Sequence, residues 1–352
     1  MKKTAEFVSP KHPDKICDFI ADSILDAYLE TDIDSRVAVE VMGGHNLIII
    51  NGEVTSRSKP DIEKLVKDIV GQDYKIISNI VLQSPDISRG VDAGGAGDQG
   101  IMKGYATSET EEFLPLEYML ARDLCKKVFD VHPFDGKVQV TIENSGEASN
   151  LADFPAGNLS DTAVPANFPA RPPAKGLAEN VPAQNFVIRT VVVSFQNTKN
   201  EELQKIVESL IKADEYLINP AGEWTQGGFD ADTGLSGRKL IVDNYGPEVH
   251  IGGGSFSGKD YTKVDRSGAY MARRIAVDIL KERKAKEVHT KLAYAIGKKE
   301  PVMAVAIVDG IEEEIKGYDL SPRGMREYLK LKNVKFSDTC TWGHFGRGFE
   351  WQ

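Results

Sequence analysis

Strand-like and helix-like segments alternate along this chain of 352 residues, which predicts an α+β protein whose mixed sheets carry helices on one face. Three observations support that expectation. Apolar residues recur at helical spacing in separate stretches, short β-branched runs lie between them, and Gly, Pro, Asn and Asp punctuate the joins. A hydrophobic share of 41% is enough to build cores for two or three ordinary domains.

Taken in order, Ile16 to Leu29 has the period of an amphipathic helix. Arg36 to Val41 and Leu47 to Ile50 predict paired strands across a Gly-Gly-His-Asn turn. Pro60 to Val70 predicts a second helix, and Lys75 to Leu82 reads as a buried strand. Leu116 to Phe129 is a third helix that leads into the strand Lys137 to Glu143, whose expected hairpin partner is Phe186 to Phe195. Glu201 to Lys212 is helical again. Lys239 to Val242 reads as a short strand entering a glycine-rich loop, helical period resumes at Ser267, and Met303 to Val308 is a late strand. Asn144 to Asn185, between the hairpin strands, holds six of the 16 prolines without apolar periodicity and is expected to be an inserted, disordered loop.

The bulk charge narrows the partners. A net charge of −10 excludes a nucleic-acid backbone as ligand, because that needs a basic face. Three cysteines, Cys17, Cys125 and Cys340, without a C-x-x-C pair fit a reducing compartment and exclude a zinc ribbon. Met-Lys-Lys-Thr-Ala at the start resembles a secretory leader, but Glu6, Ser9, Pro10, Lys11 and His12 stand where its apolar region would be. No apolar run reaches the ~18 residues of a membrane helix, so a cytoplasmic location is expected.

The densest chemistry lies in Gly-Gly-Gly-Ser-Phe-Ser-Gly-Lys-Asp-Tyr-Thr-Lys-Val-Asp-Arg, residues 252–266. Glycines let backbone N–H groups close around phosphate oxygens. Lys259, Lys263 and Arg266 add fixed positive charge, while Asp260 and Asp265 offer the hard oxygens that hold Mg²⁺ against polyphosphate. Gly253 to Lys259 also satisfies the P-loop spacing, yet Asp260 replaces the required Ser or Thr and the helix is expected only at Ser267.

Three further clusters share this character. His12-Pro-Asp-Lys15 precedes a helix; beside a catalytic role stands the plainer one in which Asp14 caps that helix, worth about 1 kcal/mol, and His12 is a surface residue. Gly94 to Ala106 is a second glycine-rich segment around Asp98, and 230–239 sets Asp232 before Arg238 and Lys239. Together these clusters predict one charged site assembled from distant segments. No G-x-S-x-G, H-E-x-x-H or strand-borne G-x-G-x-x-G is present, which removes the serine-hydrolase, zincin and dinucleotide dehydrogenase readings.

His-Pro-Asp-Lys at 12–15, Gln-Ser-Pro-Asp-Ile at 83–87, Gly-Ala-Gly-Asp-Gln-Gly at 95–100 and Gly-Leu-Ser-Gly-Arg-Lys at 234–239 stand in a recognisable order. Gly-Gly-Gly-Ser-Phe-Ser-Gly-Lys-Asp at 252–260, Thr-Lys-Val-Asp-Arg-Ser at 262–267, Tyr-Ala-Ile-Gly at 294–297 and Gly-His-Phe-Gly-Arg at 343–347 continue it. In these motifs the chain resembles the methionine adenosyltransferases, or S-adenosylmethionine synthetases. The resemblance implies three interwoven α/β units with pseudo-threefold symmetry, here 1–88, 89–226 and 227–352. It also implies transfer of the adenosyl group of ATP to the sulfur of L-methionine, with the released triphosphate hydrolysed to pyrophosphate and phosphate. A thioether carries no proton, so the lack of a catalytic triad agrees with that chemistry.

By matching positions, Asp14 and Asp265 resemble the family's Mg²⁺ ligands, a pair of ions per site, and Glu40 its K⁺ ligand. His12 resembles the donor at the breaking bond; Lys137, Arg238, Lys239 and Lys259 resemble the phosphate clamps, with His12, Lys137, Arg238 and Lys259 as the catalytic set. Asp135, Trp224, Asp232 and Ser255 complete the expected ATP site, and Glu53, Gln83, Asp232 and Lys263 resemble the methionine pocket. A homodimer or dimer of dimers, with sites at the subunit interface, is also implied. Departures from the family are Pro10 and Lys11 in place of Glu-Gly, Trp224 for a Phe, Ser255 for an Ala, a shortened gating segment between Gln83 and Gly95, and the Asn144 to Asn185 insertion. Two alternatives remain open at this point: a P-loop-like phosphotransferase, and a catalytically lapsed nucleotide-binding scaffold.

Overall fold

The computed structural model describes residues 1–144 and 186–352. The expectation of a disordered insertion therefore lies outside the described residues, apart from Asn144. In chain order the main elements are β1 (Lys2–Val8), α1 (Pro13–Thr31), β2 (Arg36–Gly44), β3 (Leu47–Thr55), α2 (Ile62–Val70), β4 (Lys75–Val81) and α3 (Pro85–Asp92). There follow β5 (Gly100–Thr107), α4 (Leu116–Val131), β6 (Gly136–Asn144), β7 (Phe186–Phe195), α5 (Asn200–Leu210) and β8 (Glu215–Ile218). The last third contains β9 (Gly234–Leu235), α6 (Leu240–Asp243), α7 (Val264–Arg283), β10 (Glu287–Tyr294), β11 (Met303–Val308), β12 (Ile311–Glu314) and α8 (Pro322–Tyr328).

The described strands form three four-stranded sheets, β1-β6-β7-β8, β4-β3-β2-β9 and β12-β11-β10-β5. One plan recurs in all three: an antiparallel hairpin, a third strand on its second arm, and an edge strand donated from elsewhere in the chain. Thus β1 joins β6, β9 joins β2, and β5 joins β10. In two sheets the third strand returns parallel after a helix, β3–α2–β4 and β7–α5–β8. The third sheet instead turns tightly through Asp309 and Gly310, both at positive φ, so β12 is antiparallel. This is the interwoven α+β arrangement expected from the resemblance.

Local chemistry explains the elements that position the site. α1 starts at Pro13, whose missing N–H costs nothing there, and His12 caps it by accepting the Asp14 N–H at 3.2 Å through Nδ1. The β2–β3 hairpin closes on His45 and Asn46 at φ 49° and 62°, the positive pair that a two-residue turn matching strand twist needs.

Several expectations need correction. β4 is an outer strand and largely exposed, with Ile77 at 42% and Val81 at 50%, because only β3 flanks it. Lys239 to Val242 is no strand: Leu240–Asp243 forms a helical turn, and four residues are too few to separate period 2 from period 3.6. The buried Lys15 ammonium holds Asp243 at 2.5 Å and fixes that turn. α7 begins at Val264 rather than Ser267, since buried Val264 already packs in the core.

α4 carries a buried acid with a measurable cost. Glu117 lies in its first turn, is 1% exposed, and its Oε2 has no hydrogen-bond partner. Burial pushes the carboxyl up from its ordinary 4.5 to about 7. Between those values the folded chain holds a proton that the unfolded chain has lost, so stability falls as pH rises from 4.5 to about 7. Glu117→Gln is expected to remove that slope and to stabilise the protein at pH 8 by up to about 3 kcal/mol, read from thermal denaturation at pH 4.5 and pH 8.

Candidate functional site

Helix α1 organises the site through four aspartates spaced four residues apart, which between them take backbone N–H groups from three distant segments. Asp14 Oδ1 accepts from Leu235 at 2.9 Å, Asp18 Oδ1 from Gly237 at 2.8 Å, and Asp22 Oδ1 from Gly258 at 2.9 Å. Asp26 accepts from Phe336 at 2.7 Å and Ser337 at 2.9 Å. The 234–239 cluster and the glycine loop are thereby docked in sequence along the helix that begins with His-Pro-Asp-Lys. Sequence reasoning singled out Asp14 and missed the other three; the acid repeat at 14, 18, 22 and 26 was the available signal.

Asp22 and Arg266 form the buried bracket behind the loop. Arg266 Nη1 and Nη2 reach Asp22 at 2.6 and 3.0 Å, and both side chains are almost wholly buried. The same guanidinium donates to the Lys259 carbonyl at 3.2 Å and to Thr339 Oγ1 at 2.9 Å. It thus sets Lys259 from behind by its own backbone. Gly258, at φ 81°, lies against the Val39 carbonyl so closely that a Cβ would stand 2.2 Å from its oxygen.

Charges face one another at the front. Asp14, fully buried, meets Lys239 Nζ at 2.5 Å and Arg238 Nε at 2.9 Å. Burial alone would raise its carboxyl, but Lys239, the Leu235 N–H and Arg238 outweigh that and hold it below the ordinary range. His12 is pushed down to about 4, first by burial and then by Lys239, with Lys137 acting in the same direction. At neutral pH its ring is uncharged, and with Nδ1 accepting the helix N–H, the remaining proton sits on Nε2.

Lys259 Nζ contacts Asp265 Oδ2 at 2.8 Å, beside Gly254, where any Cβ would fall about 2.0 Å from the same carboxylate. Glu40 accepts from Ser236 Oγ at 2.6 Å and Ser255 Oγ at 3.4 Å. Lys137, on β6, reaches Glu6 at 3.5 Å. Asp135 accepts the Gly228 N–H at 2.9 Å, and burial raises its carboxyl. Half-buried Trp224 packs on Gly227, and exposed Asp232 takes the Thr233 N–H at 2.7 Å.

The residues expected around methionine are more dispersed. Lys263 Nζ is bound to Asp260 Oδ1 at 2.6 Å. Asp260 also accepts from Val37 and Thr262, at 2.7 and 2.8 Å, so its oxygens serve the loop rather than a metal, contrary to the expectation for residues 252–266. Glu53 lies on β3 opposite Ala38, whose other neighbour is Lys259. Gln83 is 9% exposed, and its Oε1 has no hydrogen-bond partner. The Gly95–Gly100 segment approaches from the far side, with Gly97 donating to the Thr262 carbonyl at 3.3 Å. Within the segment taken for a gating loop, Ser84 caps the short helix α3, which sequence reasoning did not anticipate.

Among the described residues no three His, Cys, Asp or Glu side chains converge as a ready-made metal cage. The arrangement offers instead two separate carboxylates, at Asp14 and Asp265, each clamped by lysine. That donor set suits a hard cation that keeps waters and takes its remaining ligands from phosphate oxygens. No helix is long and apolar enough to cross a membrane among the described residues.

Comparison with known proteins agrees with this geometry. Residues 1–84, 93–152 and 226–352 match, respectively, the family models described as S-adenosylmethionine synthetase, N-terminal domain, central domain and C-terminal domain. A protein of Mycoplasmopsis pulmonis named S-adenosylmethionine synthase is 38% identical over 380 residues, covering 98% of this chain and 93% of the relative. Proteins of the same name from Borreliella afzelii and Fusobacterium nucleatum are each 38% identical, covering 99% and 98% of this chain and 94% and 92% of their own lengths.

Proposed function

The chain belongs to the S-adenosylmethionine synthetase family, and we infer that it forms S-adenosylmethionine from ATP and L-methionine and hydrolyses the released triphosphate to pyrophosphate and phosphate. The observation that carries this reading is the set of cations held at the front of the site by carboxylates, Lys239 and Arg238 on Asp14 and Lys259 on Asp265. They are pre-ordered for an anion that arrives with its own charge. Triphosphate oxygens would draw these cations forward and free carboxylate oxygens for a metal.

The reaction needs no general base, since the methionine sulfur attacks C5′ with a lone pair. Cys17, Cys125 and Cys340 are buried, and burial pushes each thiol up, which leaves no activated thiolate to compete. Charge builds instead on the departing triphosphate. Neutral His12 offers an Nε2–H to the leaving oxygen, while Lys137, Arg238, Lys239 and Lys259 stabilise the growing negative charge. Asp135, Trp224, Asp232 and Ser255 would hold the nucleoside, with the indole stacking on adenine. Glu53, Gln83, Asp232 and Lys263 would receive methionine, and the unsatisfied Gln83 Oε1 is an acceptor without a partner in that region.

Family membership makes the enzyme metal-dependent. Mg²⁺ at Asp14 and Asp265 would neutralise charge on the leaving group, and K⁺ at Glu40 would order the Ser236 and Ser255 loops. The enzyme is expected in the cytoplasm.

A homodimer is part of the proposal. Leu235, Met42, Ile49 and Ile77 lie in register across all four strands of the β4-β3-β2-β9 sheet. All but half-buried Ile49 are exposed, an apolar row of the kind that marks an interface. Glu40 and Glu53 sit two and four residues along on the same strand faces, so a second subunit there would complete the site. Sedimentation velocity should give the dimer mass, and Met42→Asp should shift it to monomer with loss of activity.

Mass spectrometry of products, with ATP, Mg²⁺, K⁺ and with or without methionine, tests the activity. Methionine-dependent S-adenosylmethionine with pyrophosphate and phosphate is expected; ADP with a phosphorylated acceptor would indicate a phosphotransferase, and neither product would indicate a lapsed scaffold. Lys263→Ala is expected to remove about 1.5–3 kcal/mol of charged hydrogen bonding, raising the methionine KM about ten- to a hundredfold while leaving that for ATP nearly unchanged. Initial rates at varied methionine check it, and an unchanged methionine dependence removes Lys263 from the pocket.

A further inference from the structure

Opposite the strand face that carries Glu40 and Glu53, a cavity of about 830 Å³ opens between α1, α2 and the segment around Ser337. None of the residues proposed above for ATP, methionine or metal lines it. Phe19 of α1 and Leu65 and Ile69 of α2 give it an apolar floor, closed at one end by Tyr74 and Phe229, whose ring centres are 6.1 Å apart at 53°. The volume falls in the ~300–1,000 Å³ range of small-molecule sites, where an apolar lining with a few placed polar groups is usual.

The polar groups favour a cation. Asp26, Glu30, Asp68 and Asp230 face the cavity. Of its lysines, Lys15 is held by Asp243 at 2.5 Å and Asp18 at 3.1 Å and contributes its stem. Lys335, 67% exposed, sits at the mouth, so the lining sets four carboxylates against Lys11 and Lys335. Asp26 is the inner acid. No Lys or Arg among the described residues is ion-paired with it, and burial pushes its carboxyl up to about 6 despite two backbone N–H donors.

We propose that this cavity is a second ligand site, for a small primary-amine cation whose ammonium is set between Asp26 and Asp230 and whose flat apolar body lies among Phe19, Tyr74 and Phe229. Its walls run into the reaction site. Pro10 and Lys11 precede His12, and Phe229 and Asp230 follow Gly228, whose N–H holds Asp135. An occupant is therefore placed to bias both segments, whether or not the adenosyl-transfer reading holds.

Isothermal titration of the full chain with 2-phenylethylammonium tests the site. Saturable binding is expected, with 2-phenylethanol, of the same shape but uncharged, binding at least about tenfold more weakly. Ala27→Trp, which fills the cavity from α1, should abolish binding while the thermal midpoint stays near wild type. Should that variant fail to fold, Asp230→Asn at the rim carries the test, with a loss of about two- to fivefold expected. Absence of saturable heat, equal affinity for the alcohol, or unchanged affinity in folded Ala27→Trp, or in Asp230→Asn where that variant carries the test, would overturn the proposal.

Discussion

Lys259→Met is expected to lower kcat about 10²–10³-fold, the cost typical of losing one fixed donor to charge that develops in a transition state. The ammonium lies 2.8 Å from Asp265 with only 16% of its side chain exposed, so it is already positioned before substrate arrives. Ground-state phosphates use the same charge, and the ATP KM should rise as well. Loss of Lys259 also leaves Asp265 without its cation, which would tighten that carboxylate on a metal and shift the Mg²⁺ optimum down. Lys259→Arg separates charge from geometry: retained charge with a displaced centre should recover ATP binding more fully than kcat. Steady-state rates over ATP and Mg²⁺ decide it, and a kcat within about threefold of wild type in Lys259→Met would remove Lys259 from the transition state.

Asp22→Ala is expected to cost about 3–5 kcal/mol of stability, because it leaves the Arg266 guanidinium buried without its carboxylate. The Gly258 N–H would lose its acceptor at the same time, which loosens the glycine loop where Lys259 is anchored. Replacing both members by apolar side chains of similar size, Asp22→Leu with Arg266→Met, should cost less than Asp22→Ala alone, since no charge is then stranded. Thermal denaturation of the single and double variants gives the comparison. A single variant within about 1 kcal/mol of wild type would mean that water or another group reaches Arg266.

Long periodic segments were the legible part of the fold. α1, α4, α5 and the β6–β7 hairpin all lie within a few residues of their expected bounds, because each carries enough turns or alternations to fix its period. The strands that interweave the units were not legible from pattern. Val8 pairs with Lys137 and Gly100 with Tyr294, and no local signal in β1 or β5 names a partner more than a hundred residues away. The buried reading of Lys75 to Leu82 failed for a related reason: Ile76, Ile77, Ile80 and Val81 look like core, and only the sheet order reveals an outer strand.

Residue types at the site were visible early, and their support was not. Glycines beside Lys259 and Asp265 announce an anion site by composition alone. Acids repeated on an amphipathic helix normally mark its solvated face, yet Asp18 and Asp22 are 1% and 0% exposed. What makes their burial tolerable is Lys15 on the same helix together with the N–H donors of Gly237 and Gly258 and the Arg266 cation, and those last three lie more than 200 residues away.

The most direct test of the account is a single-turnover rapid-quench experiment with γ-labelled ATP, excess enzyme, methionine, Mg²⁺ and K⁺. S-adenosylmethionine should appear together with intact tripolyphosphate, and pyrophosphate and phosphate should follow as that intermediate decays. Labelled phosphate or ADP appearing before any S-adenosylmethionine would contradict a site built to stabilise an intact triphosphate leaving from C5′.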